Sequence, residues 1–245
     1  SNYTWHGDQA PGQPFIHGTQ TSDIDFADAR YSKLSIHVGK NLVENKMPEA
    51  HWFIETIERG GKIVVISPEY NPPATKADYW MPVRTGLSDT SIFLCVTKIL
   101  MDKRWYDEDY VKKFTDFPLL VRTDNLKRLK ANDVFSDYRN HKLDYSHRVQ
   151  GMTEEQREQI GDFVVYDKDS KSFKAISRED VGKRFTAKGI NPSLEGKYKV
   201  ETLDGKEVEV MPLFEMYKVH LRDFDAKTTS EITGTPAHLI ERLAK

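Results

Sequence analysis

Three stretches of this sequence gather residue types that can hold a metal or a polar ligand. The first, Trp5-His6-Gly7-Asp8-Gln9-Ala10-Pro11-Gly12-Gln13-Pro14, sets an imidazole, a carboxylate and an amide side by side. Its glycines and prolines bar a regular element, so it is a loop, either a surface turn or a functional one. The second, Gly39-Lys40-Asn41, joins a glycine that allows close backbone approach to an amide that both donates and accepts. The third, Ser67-Pro68-Glu69, offers a hydroxyl and a carboxylate able to accept paired hydroxyl or amino donors. Such loops suit a nucleotide. Residue type alone favours the plainer reading, in which Gly39 makes a turn and Glu69 is solvated. Asp23, Asp25 and Asp28 form an acidic cluster that attracts a hard cation or is simply solvated or helix-capping. His6, His17, His37 and His51 lack zinc-motif spacing. No G-x-G-x-x-G or G-x-x-x-x-G-K-[ST] occurs, which argues against an ordinary dinucleotide fold or a P-loop.

The positions of these loops follow from the elements around them. Leu34, Ile36 and Val38 alternate with Ser35 and His37, a strand pattern closed by Gly39. Pro48 suits a first helical position, Ala50, Phe53, Ile54 and Ile57 recur at helical spacing, and Gly60-Gly61 ends the run. Ile63-Val64-Val65-Ile66 is continuously apolar and β-branched, as in a strand covered on both faces. Strand, helix and strand make a βαβ unit, whose strands are parallel by the handedness rule. Both ligand-type loops then sit at carboxyl ends of neighbouring parallel strands, where open sheets bind ligands.

The same rhythm continues through an edge strand at Tyr79–Val83, a helix capped by Asp89 and bearing buried, inert Cys95, a helix capped by Asp107, and a brief strand at Leu119–Val121. Residues 1–122 thus read as one region, 123–150 as a charged surface excursion, and 151–245 as an α+β extension. In that extension Thr153-x-x-Gln156 predicts a capping box, and Phe163–Tyr166 with Asp167–Ser170 half of a hairpin. Asp204-Gly205 predicts a type I′ turn, Leu213–Leu221 a helix and Thr235-Pro236 the start of a last one. The expected class is α/β, doubly wound and mainly parallel, with a smaller β-containing, helix-rich C-terminal extension.

Composition narrows the function classes. In 245 residues, 36 basic and 38 acidic side chains leave a net charge of -2, so no overall field draws the chain to nucleic acid. Mean hydropathy is -0.64, and no apolar run approaches the roughly 18 residues of a membrane span. A single cysteine cannot form a disulfide, a cysteine-ligated iron–sulfur cluster or a cysteine-based zinc site within these residues. The start lacks an initiator methionine and the last residues keep helical spacing, so an internal piece of a longer polypeptide is expected.

Taken together and in this order, the opening loop, Gly39-Lys40-Asn41 through Pro48, Val64 through Tyr70, Ala77-Asp78-Tyr79-Trp80-Met81-Pro82 and Glu231-Ile232-Thr233-Gly234 resemble the molybdopterin oxidoreductase (dimethyl sulfoxide reductase) family. Within it they most resemble the branch of nitrite oxidoreductase and membrane-bound nitrate reductase alpha subunits. The resemblance implies molybdenum held by two molybdopterin guanine dinucleotides, with Asp8 as protein ligand to the metal and His6 and Gln9 as neighbours at the reacting centre. It places Gly39, Asn41, Ser67, Glu69 and Asp89 on the dinucleotide-binding loops. Many relatives read Asp-Pro-Arg where this chain has Ser67-Pro68-Glu69, and Gly-Thr-Asp where it has Gly86-Leu87-Ser88-Asp89.

The function implied is reversible two-electron oxygen-atom transfer that oxidises nitrite to nitrate. The alternatives are nitrate, selenate or chlorate reduction by the same branch and, in another class, a non-catalytic nucleotide-binding or assembly domain. The implied partners are nitrite or nitrate, the rest of the catalytic subunit with a [4Fe–4S] cluster not ligated by these residues, an iron–sulfur beta subunit and a haem gamma subunit. No nucleic acid and no transmembrane segment of this chain are expected, and the address implied is the periplasmic side.

Overall fold

The computed structural model describes residues 26–86, 88–141 and 153–245. They fall into two compact units, one of 26–93 with 226–243, the other of 94–225.

In the first unit, strand β1 (Leu34–Val38) pairs in parallel with β2 (Lys62–Ser67), and β2 with β3 (Tyr79–Pro82), giving the order β1-β2-β3. Between β1 and β2 run a one-turn helix α1 (Leu42–Asn45), a 3-10 turn at Met47–Glu49 with Pro48 in its opening positions, and helix α2 (Ala50–Glu58). This is the parallel βαβ unit expected from the alternation, the helical spacing and the apolar run. Leu42 and Phe53 bury against Ile63 and Val65, the residues of β2 that point to the helix side, with Trp80 of β3 alongside. On the other face Val64, Ile66 and Met81 are also buried. Strand β2 is thus covered above and below, which is why its sequence alternates nothing.

The expected strand is present at β1, and its buried face carries His37 and not the apolar residues. His37 is buried, its ring meeting Phe53 edge-on at 5.3 Å, while Leu34, Ile36 and Val38 are 47%, 39% and 37% exposed. The helix covers only the side on which His37 lies, and β1 is the outer strand of the described sheet. Helix α3 (Ser88–Lys103) begins one residue before Asp89, which lies in its first turn and is not its cap. The Ser88 hydroxyl donates instead to the Arg84 carbonyl at 2.6 Å. Cys95 is fully buried on this helix, as expected.

In the second unit, α4 (Glu108–Phe114) is capped by Asp107, which accepts the Tyr110 N–H at 2.9 Å. Strand β4 (Leu120–Arg122), assigned from sequence to the first α/β region, pairs antiparallel with β8 and so belongs to another sheet. Helix α5 (Glu154–Ile160) carries the full capping box: Gln156 N–H donates to Thr153 Oγ1 and Thr153 N–H to Gln156 Oε1. Strands β5 (Phe163–Asp167) and β6 (Ser172–Ile176) form the expected hairpin. After the short α6 (Lys183–Ala187), β7 (Tyr198–Glu201) and β8 (Glu207–Pro212) complete the sheet β4-β8-β7.

The turn between β7 and β8 is not type I′. Thr202 N–H bonds the Lys206 carbonyl across a three-residue loop, and only Gly205, at φ 77°, takes the left-handed conformation; Asp204 does not. Type I′ needs positive φ at both central residues, whereas a type I turn followed by a left-handed glycine needs one. The charged stretch expected as a surface excursion also supplies core: Leu129 and Ala131 are fully buried with Leu120, Val164 and Val210. Among its described residues Leu129 and Ala131 close the sheet, while Leu126 is exposed and the charged side chains lie at or near the surface.

Helix α7 (Leu213–His220) follows β8. The last helices, α8 (Ala226–Thr233) and α9 (Ala237–Ala244), return to the first unit. There Thr235 Oγ1 donates to the Pro82 carbonyl at 2.7 Å, Arg84 N–H to the Thr233 carbonyl at 2.7 Å, and the Arg242 guanidinium lies 4.2 Å from the Tyr79 ring centroid.

Truncating the helix-facing side of β2 tests this arrangement: Ile63→Ala should cost about 2–5 kcal/mol in urea unfolding, because Ile63 is fully buried and the surrounding strands cannot collapse onto the void.

Candidate functional site

Parallel pairing brings the predicted loops to one edge of the sheet. β1, β2 and β3 all end there, and the Gly39 N–H donates to the Ile66 carbonyl at 2.9 Å, locking the exit of β1 beside that of β2. Gly39 adopts φ 60°, and no atom lies within 4 Å of where a Cβ would stand. The backbone is therefore open to close approach at this point. Asp89, exposed in the first turn of α3, follows the end of β3 by the short segment that includes Arg84.

Asn41 does not cap α1 with its side chain. Its amide nitrogen donates to Glu44 Oε2 instead, and its Oδ1 is buried with no partner among the described residues. A carboxylate can only accept, so Glu44 fixes which end of the amide is the nitrogen. The remaining oxygen is an unsatisfied buried acceptor, and such an atom costs about 1–3 kcal/mol until a donor reaches it. This edge therefore fits a ligand that brings N–H or O–H donors.

Ser67 plays a different part from the one its residue type suggests. It is 2% exposed; its hydroxyl donates to the Glu69 carbonyl at 2.6 Å and accepts the Trp80 indole N–H at 3.0 Å, which also reaches the Ser67 carbonyl at 3.1 Å. The Asn71 N–H bonds the same Glu69 carbonyl at 3.1 Å. These bonds fold the loop back on itself and leave the Glu69 carboxylate exposed and without an ion pair among the described residues. Tyr70, 61% exposed, meets the Trp80 ring edge-on at 5.3 Å. Thus Gly39, Asn41, Ser67 and Glu69 follow the ends of β1 and β2 at one sheet edge, with Ser67 shaping the loop, while Asp89 follows the end of β3 along the chain. Glu44 and Trp80 support them. Glu44 was open to sequence reasoning, being three residues after Asn41 at a helix start, but nothing links Trp80 to a serine thirteen residues away.

Asp8, His6 and Gln9, with His17, Asp23 and Asp25, lie outside the described residues. Asp28 is exposed in a 3-10 turn, Phe26–Tyr31, and His51 lies exposed against Trp52. Among the described residues no group of three or more histidines, cysteines and carboxylates could hold a metal ion.

No family model matches the chain. Its sequence is 31% identical over 245 residues to the perchlorate reductase subunit alpha of Dechloromonas aromatica, covering 99% of this chain and 26% of that protein. It is 29% identical over 253 residues to the respiratory nitrate reductase subunit alpha of Haloferax mediterranei, covering all of this chain and 24% of that protein. The chain belongs to the molybdopterin oxidoreductase family. The fold of acetylene hydratase from Pelobacter acetylenicus is similar, with a TM-score of 0.51 at 18% identity, over 99% of this chain and 20% of that one.

The chain spans about a quarter of the length of the curated relatives it matches. In this molybdopterin oxidoreductase segment, the site edge is held by the Trp80 clamp and by the buried ring of His37. Burial first, and then the Lys40 ammonium, hold the His37 imidazole below its ordinary 6.5.

Two outcomes follow. Trp80→Phe keeps the ring but removes both indole bonds, so it should cost about 1–3 kcal/mol in urea unfolding and speed hydrogen exchange at the Asn71 amide. For His37, the folded form binds its proton less readily than the unfolded chain. Its contribution is therefore fully present above pH 6.5 and is lost as pH falls below it. His37→Gln should flatten the dependence of the urea midpoint on pH between about 8 and 5.

Proposed function

We propose that this chain is the part of a molybdenum oxidoreductase alpha subunit that cradles its pterin–guanine dinucleotide cofactor, and that the complete subunit oxidises nitrite to nitrate, reversibly. The carrying observation is similarity along the whole chain to alpha subunits named for oxyanion chemistry, over a sheet edge that ends in an unsatisfied acceptor. When bound, the cofactor supplies two-electron oxygen-atom transfer.

The chain's own residues do the holding. Gly39 lets the cofactor approach the backbone, Asn41 Oδ1 accepts a donor from it, and Glu69 and Asp89 present carboxylates to its hydroxyl or amino groups; Ser67 keeps the Glu69 loop in shape. Asp8 gives the metal an oxygen ligand, a chemistry suited to a hard, high-valent centre. His6 and Gln9 orient a small oxyanion by hydrogen bonds. The [4Fe–4S] cluster of the complete subunit draws its ligands from elsewhere, since Cys95 is the single cysteine here. An iron–sulfur beta subunit and a haem gamma subunit carry electrons away, on the periplasmic side. No helix among the described residues is long and apolar enough to cross a membrane.

A second reading keeps the cofactor and reverses the direction: reduction of nitrate, chlorate or selenate. It is favoured by the two relatives described above, which are named as a perchlorate reductase and a nitrate reductase. The complete subunit, purified anaerobically, should contain molybdenum, and Asp8→Ala should lose most of it with the fold intact by circular dichroism. Comparing nitrite oxidation with dye-driven nitrate and chlorate reduction separates the two directions. A wild-type subunit free of molybdenum would overturn both and leave a non-catalytic nucleotide-binding or assembly domain.

A further inference from the structure

Away from the sheet edge, the second unit holds a cavity of about 250 Å³ between α4, β6 and the segment around Arg128. Its floor is apolar, made by Leu119, Phe163, Ile176 and Phe185, all buried. The guanidinium carbons of Arg128 and Arg178 each lie 5.4 Å from the centroid of the one Phe163 ring. Two like charges on one ring repel unless anions separate them.

The lining supplies too few. Four basic side chains face two acidic ones, Asp116 and Asp180. Lys112 and Lys113 pair along their own helix with Glu108 and Asp109. Asp116 pairs with Arg128 at 2.7 Å. Asp180 accepts the Ser177 N–H at 2.6 Å and pairs with Lys188 at 2.8 Å. Arg178 keeps the ring contact and, among the described residues, no ion pair. Arg178 is exposed as a residue, but desolvation of its guanidinium and then the Arg128 charge push it below the usual range, against the pull of Asp116.

We propose that this cavity is a binding site for a carboxylate carried on an apolar body, with Arg178 as the residue that grips it. A guanidinium presents a planar fork that matches a carboxylate through two parallel hydrogen bonds. One unpaired positive charge calls for a monoanion, and Asp116 and Asp180 at the same cavity repel a dianion such as phosphate. The apolar floor rewards a ring or branched chain attached to the carboxylate. A free organic acid and an acidic side chain of a partner subunit share this chemistry.

The inference is independent of the proposed function. It is tested on the full chain by nuclear magnetic resonance titration with benzoate, acetate and inorganic phosphate, following the Arg178 Nε–H and the amides of Ser177 and Ile176. Benzoate should bind more tightly than acetate, and phosphate more weakly than either. Arg178→Gln should weaken benzoate about tenfold, and Arg178→Lys, which keeps the charge without the fork, by less. Melting temperature should stay level or rise in Arg178→Gln, since a repelled charge is removed. Repeating the titration in the assembled complex separates the sources: retained binding indicates a free acid, blocked binding a partner's carboxylate. The proposal is overturned if benzoate leaves these resonances unmoved, if phosphate competes with it on equal terms, or if Arg178→Gln binds benzoate as wild type does.

Discussion

The ladder of β2 is the constraint on which the candidate site depends. It is bonded in parallel on both sides and covered on both faces, so its register fixes where β1 and β3 end. The bond from the Gly39 amide to the Ile66 carbonyl extends that ladder one step beyond β1. Two loops far apart in sequence therefore leave the sheet side by side. Parallel strands all terminate at one end, and there the loops gather unpaired polar groups without any being buried in the sheet itself.

Within that frame, the site edge divides its polar atoms into two kinds. Some are consumed internally: the Ser67 hydroxyl, the Glu69 carbonyl and the Trp80 indole bond one another and set the loop. Others are held out of internal bonding by neighbours, as Glu44 takes the donor end of the Asn41 amide and leaves its oxygen unused. A rigid loop with a few unspent groups is what a large polar cofactor requires, because the entropy of ordering those groups has been met during folding.

Sequence reasoning reached the elements and the loops because both are local. The apolar run 63–66, the spacing of Phe53 and Ile57, the capping box at Thr153 and the hairpin at Asp167 all act over a few residues. It did not reach what depends on distant partners. The inward face of β1 is decided by which side α2 covers, so His37 lies inside and three apolar residues lie out. Helix α8 was missed because it buries threonines, Thr229 and Thr233, and shows no apolar period. Leu129 and Ala131 sit among charges in sequence and in the core in space. At the site, residue type pointed to Asn41 and Ser67 alike, and only the bonds in space separate an unbonded buried acceptor from an occupied hydroxyl.

The outward row of Leu34, Ile36 and Val38 has a consequence for handling the protein. It lies on the outer strand of the described sheet, where backbone N–H and C=O groups on one side have no described strand to bond. A greasy ridge along an open ladder is a template for adding a strand from another molecule. Where no other segment covers this edge, the same row would favour pairing between copies at high concentration, and a lysine in place of Ile36 would oppose it.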